Sequence, residues 1–281
     1  MSDITRLVCP AMTRSRLRLP GAALAATVLA TGLAGCATET TTTESGVELV
    51  TDGELTVCTS LPYKPFEFNQ DGEVVGFDID LMDLVAQSED LEVTVVATGF
   101  EGIQSGQSLN TGECDVAAAG MTITDERARV IDFSDPYFEA TQALLVPADS
   151  DVTSLDDLSG QTLGVQQGTT GELYAEDNAP DDVELRVYED LGLLTQAVNT
   201  GQVDAGINDN GVLYDFANSN DTVEVVAEFD TGEQYGFAVQ KDGNPELLEL
   251  INTTIADAQE DGTYDEIYAE WFGDAPTEPS S

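Results

Sequence analysis

The amino-acid sequence predicts an α/β protein of two similar lobes with a cleft between them. Three observations carry this: short β-rich runs alternate with helical periods, each run ends in a polar turn, and the second half repeats the scheme of the first. The first run is Leu55-Thr56-Val57-Cys58-Thr59, followed by a polar and aromatic loop. Ile79, Met82, Val85 and Ala86 then fall on one helical face, and Glu92 to Ala97, with Val93, Val95 and Val96, forms the next strand. Asp115 to Ala119 is a third apolar run, ending in the turn Gly120-Met121-Thr122. The second half starts again at Gln161 to Gln166, which runs into the Gly-rich turn Gln167 to Gly171 and a helix opening at Glu172. Leu193 to Asn199 is helical, and Ala205-Gly206-Ile207 is a strand ending in polar Asn208-Asp209. A last helix, Pro245 to Gln259, has Leu247, Leu248, Ile251 and Ile255 on one face. Ligands of such sheets sit outside the C-terminal ends of the strands, where these polar turns lie.

Composition narrows the function. The 281 residues hold nine Lys+Arg, 54 Asp+Glu and no His, for a formal net charge of -45. Phosphate backbones are bound by clustered cations, so nucleic acid is excluded as a partner. A hydrophobic content of 41% supplies a core and excludes a disordered acidic chain. Without His the chain lacks the commonest general base and metal ligand, and four Cys with no CxxC pair do not form a structural zinc site. No metal and no cofactor are expected.

Arg6, Arg14, Arg16 and Arg18 precede an apolar, small-residue run from Leu19 to Gly35. That order is an export signal over residues 1–35, too short for an ordinary membrane span. It ends in Leu33-Ala34-Gly35-Cys36, which resembles the lipobox of bacterial lipoproteins and implies cleavage before Cys36 and lipidation of its thiol. Removing the signal takes away four of the nine cations and one of the 54 acids, leaving Lys64, Arg127, Arg129, Arg186 and Lys241 against 53 carboxylates. Residues 36–53, with Thr38 and Thr40 to Thr43, read as a flexible Thr-rich tether, and residues 274–281 as a disordered tail.

Six stretches, in order, resemble the solute-binding proteins of polar amino-acid ABC transporters. They are Pro65-Phe66-Glu67-Phe68, Gly76 to Leu81, Gly120 to Arg127, Asp132 to Tyr137, Gly164 to Thr170, and Gly262 to Tyr268 with Trp271-Phe272. A two-residue expansion between Phe100 and Asp115 departs from the pattern. The resemblance implies a periplasmic-binding-protein-like fold whose two lobes are joined by a two-strand hinge, with crossings near Ala143 to Pro147 and Gln234 to Val239. Lobe one would hold residues 54–143 and 235–273, and lobe two residues 144–234. The implied function is capture of an L-amino acid by lobe closure and delivery to the permease and ATPase of an ABC importer. The protein would be an extracytoplasmic monomer, held at the outer face of the membrane by the lipid on Cys36.

An α-amino acid needs a cation for its carboxylate and an anion for its ammonium. Arg127 can form a bidentate fork and sits at the family's carboxylate clamp, whereas neighbouring Arg129 reads as a surface charge. Asp209 matches the ammonium acceptor. Gly120 would lend its carbonyl, and Thr122 and Thr169 hydroxyl or backbone donors. Tyr63 and Phe100 match aromatic walls around the ligand side chain. Ser60 stands where relatives that bind cationic side chains commonly carry Asp, while Asn208 and Gln166 suit a polar neutral side chain such as an amide. Glu101 could supply a charge for a cationic ligand and Lys64 one for a dicarboxylic ligand. Cys58 and Cys114 fall on neighbouring strands if the sheet is ordered as in the family, and either form a disulfide or stay as two buried thiols. Two other classes remain: a dehydratase-like enzyme using a carboxylate such as Glu101 or Glu172 in the absence of His, and a ligand-sensing receptor module.

Overall fold

In the computed structural model, which describes residues 41–273, Glu54–Thr59 is an inner strand of a five-stranded sheet. It pairs in parallel with Glu92–Ala97 on one side and Val116–Ala117 on the other. Ala238–Gln240 then runs antiparallel to both Val116–Ala117 and Ile131–Phe133. The second sheet has the same plan, with Thr162–Gln166 parallel to Glu184–Tyr188 and to Ala205–Asp209. Its other two members are long: Phe138–Pro147 pairs antiparallel with Ala205–Asp209 and with Val223–Tyr235. The inner strands are buried from Leu55 to Thr59 and from Ala205 to Asp209, with polar residues gathered toward their C-terminal ends, as expected where helices cover both faces.

The chain crosses between the sheets twice. One crossing is Ser134–Tyr137, where Pro136 cannot donate to a ladder, and the other is Gly236–Phe237. The first crossing therefore precedes the expected Ala143 to Pro147 stretch. Residues 138–143 belong to the second sheet, with Ala143 opposite Asn208 and Gln142 opposite Asp209. The stretch Ala143 to Pro147, which the family resemblance marked as a crossing, is instead strand of the second sheet, buried from Ala143 to Val146. At the crossing Phe138 packs edge-on to Phe66 and tilted against Phe272, at centroid separations of 4.9 and 5.1 Å, so the C-terminal helix Thr263–Phe272 is seated on the hinge.

The Thr-rich segment is a second correction. From Thr41 it is folded: Thr41–Thr42 pairs with Glu48–Leu49, and Val47 and Leu49 are buried in the same cluster as Leu247 and Ile251. Val50 N donates to Asp115 Oδ1 (2.7 Å), and Asn244, the N-cap of helix Pro245–Asp261, donates to the Glu48 carbonyl (2.7 Å). Alternating apolar residues outweigh the Thr-rich composition there because each finds a buried partner. The signal over residues 1–35, lipidation at Cys36 and the tail over 274–281 lie outside the described residues. Among the described residues no helix is long and apolar enough to cross a membrane.

Cys58, on the strand Glu54–Thr59, and Cys114, in the turn that leads into Val116–Ala117, are joined by a disulfide with Cα atoms 5.6 Å apart, which resolves the two alternatives above in favour of the bond. It closes a loop of sequence separation 56, which the chain-entropy account values at about 4 kcal/mol.

Candidate functional site

The polar strand ends of the two sheets face one another across a narrow, largely closed cavity of about 10 Å³. Nine of its lining residues are among those singled out in the sequence: Ser60, Tyr63, Phe100, Gly120, Thr122, Arg127, Gln166, Thr169 and Asp209. Asn208 stands immediately behind, its Nδ2 donating to Gln166 Oε1 at 3.1 Å.

Arg127 begins a single 3-10 turn, Arg127–Arg129, which turns Arg129 out to solvent and Arg127 inward. Its side chain is only 5% exposed. Nη1 donates to the Thr122 carbonyl (2.7 Å) and Nη2 to the Gly168 carbonyl of the opposite lobe (2.9 Å). Among the described residues the ion pairs within 4.0 Å are Lys64–Asp215, Arg186–Glu184 and Lys241–Asp132, so Arg127 has no carboxylate partner. Burial lowers its pKa, while the field of Asp209 and Glu233 opposes that loss. The Phe100 ring lies 5.1 Å from the guanidinium carbon, a cation–π support. Phe100, expected as a wall for a ligand side chain, lines the cavity and also supports the arginine with its ring.

Asp209 ends the buried strand Ala205–Asp209 and is the N-cap of helix Asn210–Asn218, but its carboxylate makes no bond to the helix end and is left for other partners. It accepts from Tyr63 Oη of the other lobe (2.7 Å), from Tyr235 Oη and from Gln142 Nε2. Burial and then the nearby Glu233 push its pKa up to about 6, against the pull of those donors. A carboxyl held this close to neutrality, surrounded by donors, suits exchange of a proton for an ammonium.

Tyr63 therefore bridges the lobes through its hydroxyl, lying 3.0 Å from Asn208 Oδ1 as well. Its ring leaves no room for a side chain on Gly120, where an added Cβ would come within 2.6 Å of Tyr63 Cε1, and Gly120 also adopts a left-handed φ of 49°. The Gly120 N–H is held by Asp78 Oδ2 at 3.0 Å. Asp78 in turn accepts from Tyr137 Oη (2.7 Å), and its burial raises its pKa to about 7.

Thr169 differs from expectation. It is the N-cap of helix Thr170–Asn178; its hydroxyl donates to the Gln166 carbonyl (2.8 Å) and accepts from Glu172 N (3.2 Å), so it is committed to the helix end. Thr170, the next residue, presents its hydroxyl instead. Glu101 is exposed at the rim, bonded to Gln104 Nε2 (2.9 Å), and Lys64 is drawn away to Asp215 (3.3 Å). Glu172 accepts from Gly168 N at 2.7 Å. None of these three lines the cavity. Sequence reasoning missed Gln142, Thr170, Tyr235 and Glu233. A lone amide inside the apolar strand Phe138–Pro147 was a usable signal for Gln142, whereas Glu233 is one acid among many.

Two α/β lobes on two crossing strands, with strand-end polar groups facing across a cleft, define a periplasmic-binding-protein-like fold. The sequence profile of the bacterial extracellular solute-binding proteins, family 3, matches residues 55–274, and the chain belongs to that family. It is similar to a probable histidine-binding protein of Campylobacter jejuni subsp. jejuni, 33% identical over 245 residues that cover 86% of this chain and 94% of that protein. It is also similar to the ABC transporter glutamine-binding protein GlnH of Bacillus subtilis, 36% identical over 211 residues, 74% of this chain and 76% of that one. An ancestral arginine-binding protein bound to glutamine superposes with a TM-score of 0.75 at 41% identity, covering 80% of this chain and 100% of that one. The protein is thus an amino-acid-binding solute-binding protein of an ABC transporter, and these relatives are binding proteins, not enzymes.

Proposed function

We propose that the chain captures an L-α-amino acid with a polar, neutral side chain between its lobes and hands it to the permease of an ABC importer. In this reading it works as a monomer, anchored outside the cell membrane by a lipid on Cys36. The observation that carries the binding reading is Arg127: a buried guanidinium with no carboxylate partner, across from a buried carboxyl, Asp209, that accepts only from neutral donors. An isolated buried cation is costly, and a ligand carboxylate meets that cost with a bidentate pair. Asp209 and the Gly120 carbonyl would then take the ammonium. The Gln166–Asn208 amide pair and Ser60 support a neutral polar side chain. With Lys64 paired to Asp215, a dicarboxylic ligand has no second cation. A cationic side chain is the second reading, favoured by Glu233 standing close to Asp209 and by relatives named for histidine and arginine.

A thermal-shift panel of all L-amino acids against the chain from Ala37 onward tests the reading. Residues 41–53 must be kept because Val47 and Leu49 are part of the core. A ligand at a thousandfold its Kd contributes about 4 kcal/mol to the folded state, an upward shift of roughly 10 °C for a domain this size. Shifts with one or a few polar neutral amino acids are expected; shifts confined to arginine, lysine or histidine would select the second reading, and none at all would refute both. For the anchor, Cys36→Ala should move the protein from the membrane fraction to the soluble one, and continued membrane retention would contradict it.

A further inference from the structure

Glu233 does not line the cavity, yet it is bonded to both of its walls. Its Oε2 lies 2.7 Å from Thr122 Oγ1 of the first lobe and 2.8 Å from Thr170 Oγ1 of the second. Gln142 Nε2, which also donates to Asp209, reaches Glu233 Oε1 and Oε2 at 3.1 and 3.2 Å. Glu233 is aimed there by an irregularity of its strand. The pairing of Val223–Tyr235 with Phe138–Pro147 shifts register between Phe229 and Glu233, and Gly232 takes a left-handed φ of 61° within that bulge. Bulges of this kind re-aim a side chain beside a site.

A threonine hydroxyl has one proton and can either donate or accept, whereas a carboxylate only accepts. Both hydroxyl protons are therefore spent on Glu233, and what Thr122 and Thr170 offer the cavity is lone pairs. We infer that Glu233 is a positioning residue which fixes the polarity of these two hydroxyls, from opposite lobes, so that the cavity receives an ammonium and rejects an anionic group at that point. The inference rests on the amino-acid reading above and deepens it. Thr122 was expected to supply a donor; its hydroxyl is an acceptor toward the cavity, and so is that of Thr170, which also accepts from Gln142 Nε2 at 3.3 Å. Glu233 and Thr170 both belong to the second lobe, so the bond from Thr122 is the one that reaches across from the first.

The test is calorimetric titration of the full chain from Ala37 with L-glutamine and L-arginine, and with the same two acids bearing hydrogen in place of the α-ammonium. Glu233→Gln keeps the shape but can donate, which frees or reverses the hydroxyls. It is expected to weaken whichever amino acid the wild type binds by about ten- to hundredfold, the worth of hydrogen bonds to a charged group. The ligands without an ammonium should change by less than about threefold, within the ordinary scatter for a non-interacting site. Thr170→Val should give a loss of similar size, and the double variant should add little to either single one, because both remove the same acceptor. An equal loss for both kinds of ligand would make Glu233 a general brace of the cleft and overturn the inference, as would no loss, or fully additive losses in the double variant. Failure of the underlying reading is seen separately, as a wild type that binds no amino acid in the panel.

Discussion

Arg127→Ala is expected to abolish the ligand-induced rise in melting temperature and to weaken binding by about two to three orders of magnitude, because truncating one partner of a buried charged pair costs about 2 to 5 kcal/mol. The variant loses more than charge. Nη1 and Nη2 also hold the Thr122 and Gly168 carbonyls, one from each lobe, so the ligand clamp and a cross-cleft contact disappear together. Arg127→Lys separates the two contributions: it keeps the charge on the Phe100 ring face but cannot form the planar fork, and an intermediate loss of about tenfold follows. Titration of both variants with the panel's best ligand checks this. Unchanged affinity in Arg127→Ala would remove the carboxylate clamp from the account.

Asp209→Asn is expected to have opposite effects on binding and on stability. Binding should fall by about a hundredfold, since the ammonium loses its anion. The ligand-free protein should become more stable at pH 7. The pKa of Asp209 is raised from 3.8 to about 6 in the folded state, so its favourable contribution is fully present below 3.8 and is lost as pH rises through 6. Above that range the buried carboxylate costs about 3 kcal/mol, which the neutral amide avoids. Gln142 can adapt, because its Oε1 is buried without a partner and a rotated amide would accept from the new side chain. In the wild type the same titration makes the ligand-free protein more stable as pH falls from 7 toward 4, with Asp78 acting in the same direction. Affinity should move the other way, weakening about tenfold per unit below pH 6 as the proton competes with the ammonium. Melting curves and titrations across that range check both signs; a destabilised Asp209→Asn would mean that its carboxylate is an asset to the fold.

The site was legible where scarcity or position singled out a residue. Arg127 is one of five cations beyond the signal, and Asp209 ends a run of buried strand residues, so each stood out. Three of the four residues that were missed, Gln142, Glu233 and Tyr235, come from the two long strands of the second sheet. Gln142 and Glu233 lie 91 positions apart and meet only through the pairing of two long strands, and the register shift that turns Glu233 inward leaves no trace in a chain with 54 acids. The crossing was placed too late because it was carried over from the family resemblance, and the residues of Ala143 to Pro147 could not correct it, since an apolar β-run fits a hinge strand and a core strand equally well. The folded start at Thr41 was hidden by composition, although the alternation of Val47 and Leu49 signalled a strand. Thr169 and Thr170 illustrate a finer limit: adjacent threonines at a helix start look alike in sequence, and only the capping geometry decides which hydroxyl is spent on the helix.

The central claim is that one L-α-amino acid lies between Arg127 and Asp209. A crystal structure of the chain from Ala37 with the amino acid that gives the largest thermal shift tests it most directly. The account predicts the α-carboxylate in a two-bond contact with the Arg127 guanidinium at about 2.8 Å and the α-ammonium on Asp209 Oδ at a similar distance. A ligand bound with its carboxylate away from Arg127, or its ammonium on a group other than Asp209, would contradict it.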